Sequence, residues 1–170
     1  SFQLKFSKDE VHTPGDDPDV LVAMNPAGLK VHLCDLKTRG MVIINTANFT
    51  SKNLKLAEWE QDPLEDDTLN EYHVIKIDMN KMVFTALDDM GLSSKIMSRS
   101  TNMFALGLLY WLYDRDMQSS LDHFKTKFKS KPEIIEANTR ALKAGFYYGE
   151  TIEAIKTTYS VPKAKFDAGT

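Results

Sequence analysis

The residues of this 170-residue chain whose types could do chemistry are four histidines, one cysteine and a set of asparagines at the ends of apolar runs. His12, His32, His73 and His123 are scattered, with neither HExxH nor HxH spacing, so loop, surface or strand positions are expected and no metal site. Cys34 is the sole thiol. It excludes an internal disulfide, and it excludes a cysteine-ligated iron–sulfur cluster or Cys-type zinc site within this chain. No serine lies in a G-x-S-x-G turn, and neither GxGxxG nor GxxxxGK[ST] occurs. No catalytic constellation and no metal ligand set is therefore expected.

Two segments carry polar groups where an α/β sheet would place a ligand. Asn25-Pro26-Ala27-Gly28 follows one apolar run and opens a helix, and a helix N-terminus can hold an anion. Ligand crevices of open α/β sheets lie outside the carboxyl ends of the strands. Asn25 and Gly28 are accordingly candidates for a ligand or cleft rim. The simpler alternative is that Asn25 only caps the helix. Asn45 and Thr46 hold the same position after the next apolar run and would extend that rim.

Three further features have plain structural readings. Glu60–Asp67 gathers five carboxylates around Pro63 but lacks the Asp-x-Asp-x-Asp-Gly pattern of a calcium loop, so a solvated loop is expected. Lys125, Lys127, Lys129 and Lys131 alternate across a helix end, solvated near the negative end of a helix dipole or forming a docking patch for an acidic partner. Asn102 and Asn138 accompany apolar stripes and are expected to be polar anchors between helices, since a buried carboxamide must be hydrogen-bonded.

The elements that must position these groups are legible from periodicity. Val20–Met24, Met41–Ile44 and Tyr72–Ile77 are runs suited to strands of an interior parallel sheet. Phe2, Leu4 and Phe6 alternate with Gln3, Lys5 and Ser7 and predict a strand already under way at the first residue, as in a piece of a longer polypeptide. Between the runs, Pro26 starts a helix carrying Ala27, Leu29, Val31 and Leu33, and Thr50 caps one carrying Leu54, Leu56 and Trp59. This strand–helix–strand–helix order is that of a βαβ unit. Met79, Met82, Val83, Ala86 and Leu87 predict a helix stopped by Gly91.

Residues 99–113 are apolar nearly all round and predict the central buried helix, with Gly107 marking close approach of another backbone. Met117, Leu121, Phe124 and Phe128 predict an amphipathic helix. Ser130-Lys131-Pro132-Glu133 has capping-box spacing before a helix with Ile134, Ile135, Asn138, Ala141, Leu142 and Gly145 on one stripe. Residues 158–170 show no periodicity and read as a linker. The expected fold is a three-layer α/β/α sandwich around a largely parallel or mixed sheet, with extra C-terminal helices.

Composition bounds the partners. The chain is 42% hydrophobic and 26% charged, an ordinary globular balance for one domain. Its net charge of −3, from 21 basic and 24 acidic residues, argues against nucleic acid or an anionic membrane as the main partner, both of which need a basic face. One thiol and the lack of an apolar leader point to the cytoplasm.

Several motifs in order resemble a known family. Pro18-Asp19-Val20-Leu21-Val22-Ala23-Met24-Asn25-Pro26 resembles the strand and turn of the gamma domain in 2-oxoacid:acceptor oxidoreductases. Asn102-Met103-Phe104-Ala105-Leu106-Gly107 resembles that domain's "KNMxALG" helix. Phe128 to Asn138, continued by Ala141-Leu142-Lys143-Ala144-Gly145, resembles its "PEI.EAN..ALKAG" helix. Asn45-Thr46, Asp62-Pro63-Leu64-Glu65-Asp66 and the Ala168-Gly169-Thr170 ending resemble the alpha subunit of the 2-oxoglutarate:ferredoxin type. The family's glycine-rich strand–loop–helix, which lies upstream, is absent. The resemblance therefore implies a partial gamma domain over residues 1–157 and a linker over 158–170.

The resemblance also implies an activity for the complete enzyme: oxidative decarboxylation of a 2-oxoacid, 2-oxoglutarate in this type, with coenzyme A to acyl-CoA, carbon dioxide and reduced ferredoxin. Thiamine diphosphate, magnesium and an iron–sulfur cluster would belong to other domains of the alpha subunit or to the beta subunit. This chain is then expected to be a cleft-forming scaffold, inactive alone. The alternative is an independent regulatory α/β domain binding a small anion or coenzyme A at Asn25–Gly28.

Overall fold

Three runs of β-branched and aliphatic residues form the sheet. The computed structural model describes residues 3–5, 11, 17–152 and 159–161, and in it β1 (Val20–Ala23), β2 (Met41–Asn45) and β3 (His73–Ile77) are all parallel in the order β1-β2-β3. In the central strand β2 all five residues are buried. Successive strand side chains point to opposite faces, and β2 shows this directly. Val42 and Ile44 join Ala23, Leu29, Leu36 and Leu69 in one cluster; Met41 and Ile43 join Ile75, Ile77 and the helices of the second half in the other. The sheet is thus the middle of three layers, as the apolar runs predict.

The helices are α1 (Pro26–His32), α2 (Ser51–Leu56), α3 (Met79–Leu87), α4 (Ser94–Arg99), α5 (Thr101–Leu112), α6 (Gln118–Lys127) and α7 (Pro132–Thr151). The α1 side of the sheet carries the smaller cluster, which Phe49, Trp59, Leu64 and Tyr72 enlarge. Against the other side lie α3 and α5, with Ala137 and Ala141 of α7. The α5–α7 crossing is a backbone-to-backbone approach. A Cβ at Gly107 would lie 1.9 Å from the Leu142 carbonyl oxygen, and one at Gly145 would lie 1.9 Å from that of Phe104. Both positions require glycine, and the glycine inside α5 is thereby explained.

Several boundaries differ from the sequence expectation. Gln3, Leu4 and Lys5 are exposed and form no strand; Phe2, Phe6 and Ser7 lie outside the described residues. Val31 is exposed, because α1 is short and only its Leu29 side meets the sheet. α2 ends at Leu56, and Glu58 at φ 58° turns the chain so that the Trp59 indole N–H reaches the Pro26 carbonyl at 3.0 Å. No capping box forms at α7: its N-cap residue is Lys131 and makes no side-chain cap bond. The separate helix α4 is not foreshadowed by any periodicity. Of the expected linker, 159–161 are described. There Tyr159 donates its N–H to the Leu112 carbonyl at 2.8 Å and stacks on Tyr113 with centroids 5.1 Å apart.

Candidate functional site

The carboxyl edge of the sheet is lined by carboxamides. Asn25 ends the β1 segment and caps α1, its Oδ1 accepting the Gly28 N–H at 2.8 Å. A Cβ at Gly28 would sit 3.4 Å from that same oxygen, so Gly28 is held by the cap. α1 has seven residues, and in its first turn Asn25 accepts the Gly28 N–H on its side chain and the Leu29 N–H on its carbonyl. Beside it, Asn48 Nδ2 donates to the Met24 carbonyl at 2.9 Å, and Asn53 Nδ2 donates to the Asn48 carbonyl at 2.9 Å. These two asparagines tie the turn after β2 to the end of β1. Asn25, Pro26, Asn48, Asn53 and Leu56 line an open depression there.

Asn45 behaves differently from the exposed rim position expected of it. It is fully buried. Its Oδ1 accepts the Met79 N–H at 3.2 Å and its Nδ2 donates to Asn80 Oδ1 at 3.1 Å. The connection after β2 runs over the α1 face, whereas α3 follows β3 on the opposite face, so the crevice of an open α/β sheet would fall between these two strand ends. The Asn45 carboxamide fills that place and joins the strands to the first turn of α3. Asp78 completes the α3 cap, its carboxylate accepting the Lys81 N–H at 2.8 Å. Thr46 is half-buried and opens a 3-10 turn over Thr46–Asn48. Asn25, Gly28, Asn45 and Thr46 therefore do come together at one edge, but as caps and braces. Asn48, Asn53 and Asn80 complete the set; the density of asparagine after β2 was a signal for Asn48 and Asn53, and none pointed to Asn80 in α3.

The other candidates spread out. Asn138 of α7 is buried and its Oδ1 accepts the Ser100 hydroxyl at 3.0 Å, linking α7 to the start of α5. Asn102 is exposed on the outer side of α5; Ser100 and Thr101 hold the buried polar positions expected of it. His32 pairs with Asp35 at 3.1 Å, His73 opens β3 at the surface and His123 is exposed on α6; His12 lies outside the described residues. In the acidic loop, hydrogen bonds from the Thr68 side chain and backbone hold the Asp66 carboxyl below the usual range, so this carboxylate orders its own turn.

The single thiol does not fit an iron–sulfur cluster. Cys34 is exposed on a single turn beside Asp35. Among the described residues no group of three His, Cys, Asp or Glu side chains is placed to hold a metal ion. What the rim can do is fix strand ends with neutral carboxamides.

Fold and rim together define a three-layer parallel α/β domain whose carboxyl edge is braced by carboxamides. The chain belongs to the pyruvate ferredoxin/flavodoxin oxidoreductase family, whose profile matches residues 1–148. It is 47% identical over 169 residues to the 2-oxoglutarate oxidoreductase subunit KorA of Mycobacterium tuberculosis, a match that takes in 99% of this chain and 26% of the relative. Its fold is similar to part of a 2-oxoglutarate:ferredoxin oxidoreductase from Magnetococcus marinus, solved with 2-oxoglutarate, coenzyme A and succinyl-CoA bound. That similarity has a TM-score of 0.64 at 18% identity, over 92% of this chain and 24% of the other. The chain thus spans about a quarter of the length of each relative.

Proposed function

We propose that this chain is a cleft-wall segment of a 2-oxoglutarate:ferredoxin oxidoreductase, belonging to the gamma domain of its alpha subunit over residues 1–157, with a linker from 158 onward. The observation that carries this reading is the 47% identity to a 2-oxoglutarate oxidoreductase subunit across 99% of the chain. The complete enzyme would cleave carbon dioxide from 2-oxoglutarate, transfer the remaining acyl group to coenzyme A and pass the electrons to ferredoxin. Thiamine diphosphate, magnesium and an iron–sulfur cluster, supplied by other domains or by the beta subunit in the cytoplasm, would carry the carbanion and the electrons.

The part played by this chain's own residues is mechanical. Asn25, Asn45 and Asn48 fix the ends of β1 and β2 and the start of α3, so that the edge facing neighbouring domains is rigid. A rigid edge holds the geometry of a cleft without taking part in proton or electron transfer. The same engagement disfavours an independent regulatory module, because the Asn25 oxygens are already taken by the Gly28 and Leu29 N–H groups within the chain.

The test is a purified complex containing this chain within its full-length subunit, assayed for coenzyme A-dependent reduction of ferredoxin with 2-oxoglutarate and with pyruvate. Turnover preferring 2-oxoglutarate is expected, with none from residues 1–170 alone. Comparable turnover by the isolated chain would overturn the scaffold reading. Micromolar binding of coenzyme A or a dicarboxylate to the isolated chain, abolished by Asn25→Ala, would favour a regulatory module.

A further inference from the structure

We infer that the groove between α4, α5, α6 and α7 is a docking site for an acidic amphipathic helix of a partner polypeptide. The groove holds about 410 Å³. Its floor is apolar, formed chiefly by Met103 and Leu106 of α5, Phe124 of α6 with Phe128 just after it, and Ile134 of α7. Its rim is cationic: Arg99 ends α4 on one wall, while Lys127 and Lys131 stand on the other, with His123 one turn before Lys127. No carboxylate lines it.

The distribution of ion pairs sharpens the contrast. Lys125, on the same helix, is neutralised by Asp122 at 3.1 Å, and Arg140 is held by Asp89 and Glu136. Arg99, Lys127 and Lys131 have no ion-pair partner among the described residues. The lysine ladder of the sequence thus divides, with Lys127 and Lys131 facing the groove and Lys125 spent elsewhere.

Polar groups inside the groove point to the same occupant. Ser120 is engaged with the Tyr110 hydroxyl at 2.8 Å, and Asn138 Oδ1 accepts from Ser100. The Asn138 Nδ2 group has no acceptor among the described residues and is not sealed from solvent, leaving a donor at the groove floor. The polar groups left without an ion pair or hydrogen bond are therefore donors and cations over an apolar floor, Lys127 also lying 5.7 Å from the centre of the Phe128 ring. Their complement is a surface with apolar side chains on one stripe and carboxylates flanking it. His123 and Lys127 stand one helical turn apart on α6, and Lys131 follows at the start of α7 after the chain turns, so an occupying helix that lays its apolar stripe on the floor meets these cations with the carboxylates that flank the stripe. This surface lies on the helices of the second half, away from the carboxamide rim, and does not depend on the proposed reaction.

The experiment is fluorescence anisotropy of a labelled synthetic helix with leucines on one stripe and glutamates at i, i+4 and i+8, titrated with the 170-residue chain. A second peptide carries lysines in place of those glutamates. Binding of the glutamate peptide is expected, weakening as salt rises, with the lysine peptide at least tenfold weaker. The variant Lys127→Glu/Lys131→Glu, checked for folding by circular dichroism, should lose roughly tenfold for the glutamate peptide and gain for the lysine peptide. Leu106→Gln should weaken both. Equal binding of the two peptides, no binding, or indifference to the double charge reversal would overturn the proposal. So would a salt-sensitive dimer, lost with the same lysines, in sedimentation of the chain alone, since a second copy would then be the occupant.

Discussion

Asn45 and Asn138 show how far a carboxamide's setting decides its role. Both are buried, both brace one element against another, and neither faces an open cleft with its oxygen free. Removing the Asn45 side chain would leave the Met79 N–H without its partner inside the protein. Asn45→Ala is therefore expected to cost about 1–3 kcal/mol, the penalty for an orphaned buried donor. Urea titration of the chain measures it, and an unchanged midpoint would show that α3 holds its first turn without this brace. Asn102→Ala, at an exposed position, should change the same midpoint by less than about 0.5 kcal/mol. Asn138→Ala sits between these cases in mechanism. It frees a Ser100 hydroxyl in a buried place, and a loss of about 1–3 kcal/mol is expected, partly recovered by adding Ser100→Ala, because the double variant removes the hydroxyl that the single one orphans.

Among the elements, the α5–α7 crossing is the most demanding. A glycine inside a helix ordinarily costs about 1 kcal/mol against alanine, so an exposed glycine replaced by alanine gains stability. At Gly107 and Gly145 the added methyl would meet a carbonyl oxygen at 1.9 Å, and the helices would have to separate. Gly107→Ala and Gly145→Ala are each expected to destabilise by about 1–3 kcal/mol or more despite the propensity gain. A thermal melt showing either variant more stable would mean that the crossing is looser than its geometry. This crossing was legible in the sequence, since a glycine in the middle of an apolar helix gives up stability unless a second backbone passes close by. The strands were readable for a similar reason: β2 is covered on both faces and admits only apolar side chains before Asn45. The lengths of α1 and α2 were not readable, because their ends are fixed by tertiary contacts, such as the Trp59 indole on the Pro26 carbonyl, that leave no periodic trace. The rim followed the same divide. Position at a strand end was legible from pattern, but whether Asn45 faces solvent or α3 depends on which face the next connection crosses.

For the whole molecule, the titrating groups with shifted values set a stability plateau with two limbs. On the acid side, Asp89 is held below the ordinary carboxylate value first by its hydrogen bond to Arg140, and Asp122 by Gln118 and Lys125. A carboxyl depressed in the folded state adds stability above its unfolded value near 3.8, and that contribution disappears as pH falls through the folded values. Both aspartates are exposed, so this limb is shallow. On the alkaline side, burial, followed by the proximity of Tyr159 and Asp19, pushes the Tyr113 phenol up to about 12. An acid raised in the folded state favours its neutral form there. Its contribution is complete below the unfolded value of 10.0 and is lost between that pH and about 12. The Tyr113–Tyr159 stack is what fastens 159–161 to the end of α5, so ionisation at Tyr113 places a charge against that contact. Tyr113→Phe should accordingly keep more of its neutral-pH stability at pH 11 to 12 than the unaltered chain, as read from denaturant midpoints across that range alongside phenolate absorbance. A parallel decline in the two proteins would assign the alkaline limb to other groups and leave Tyr113 a packing residue alone.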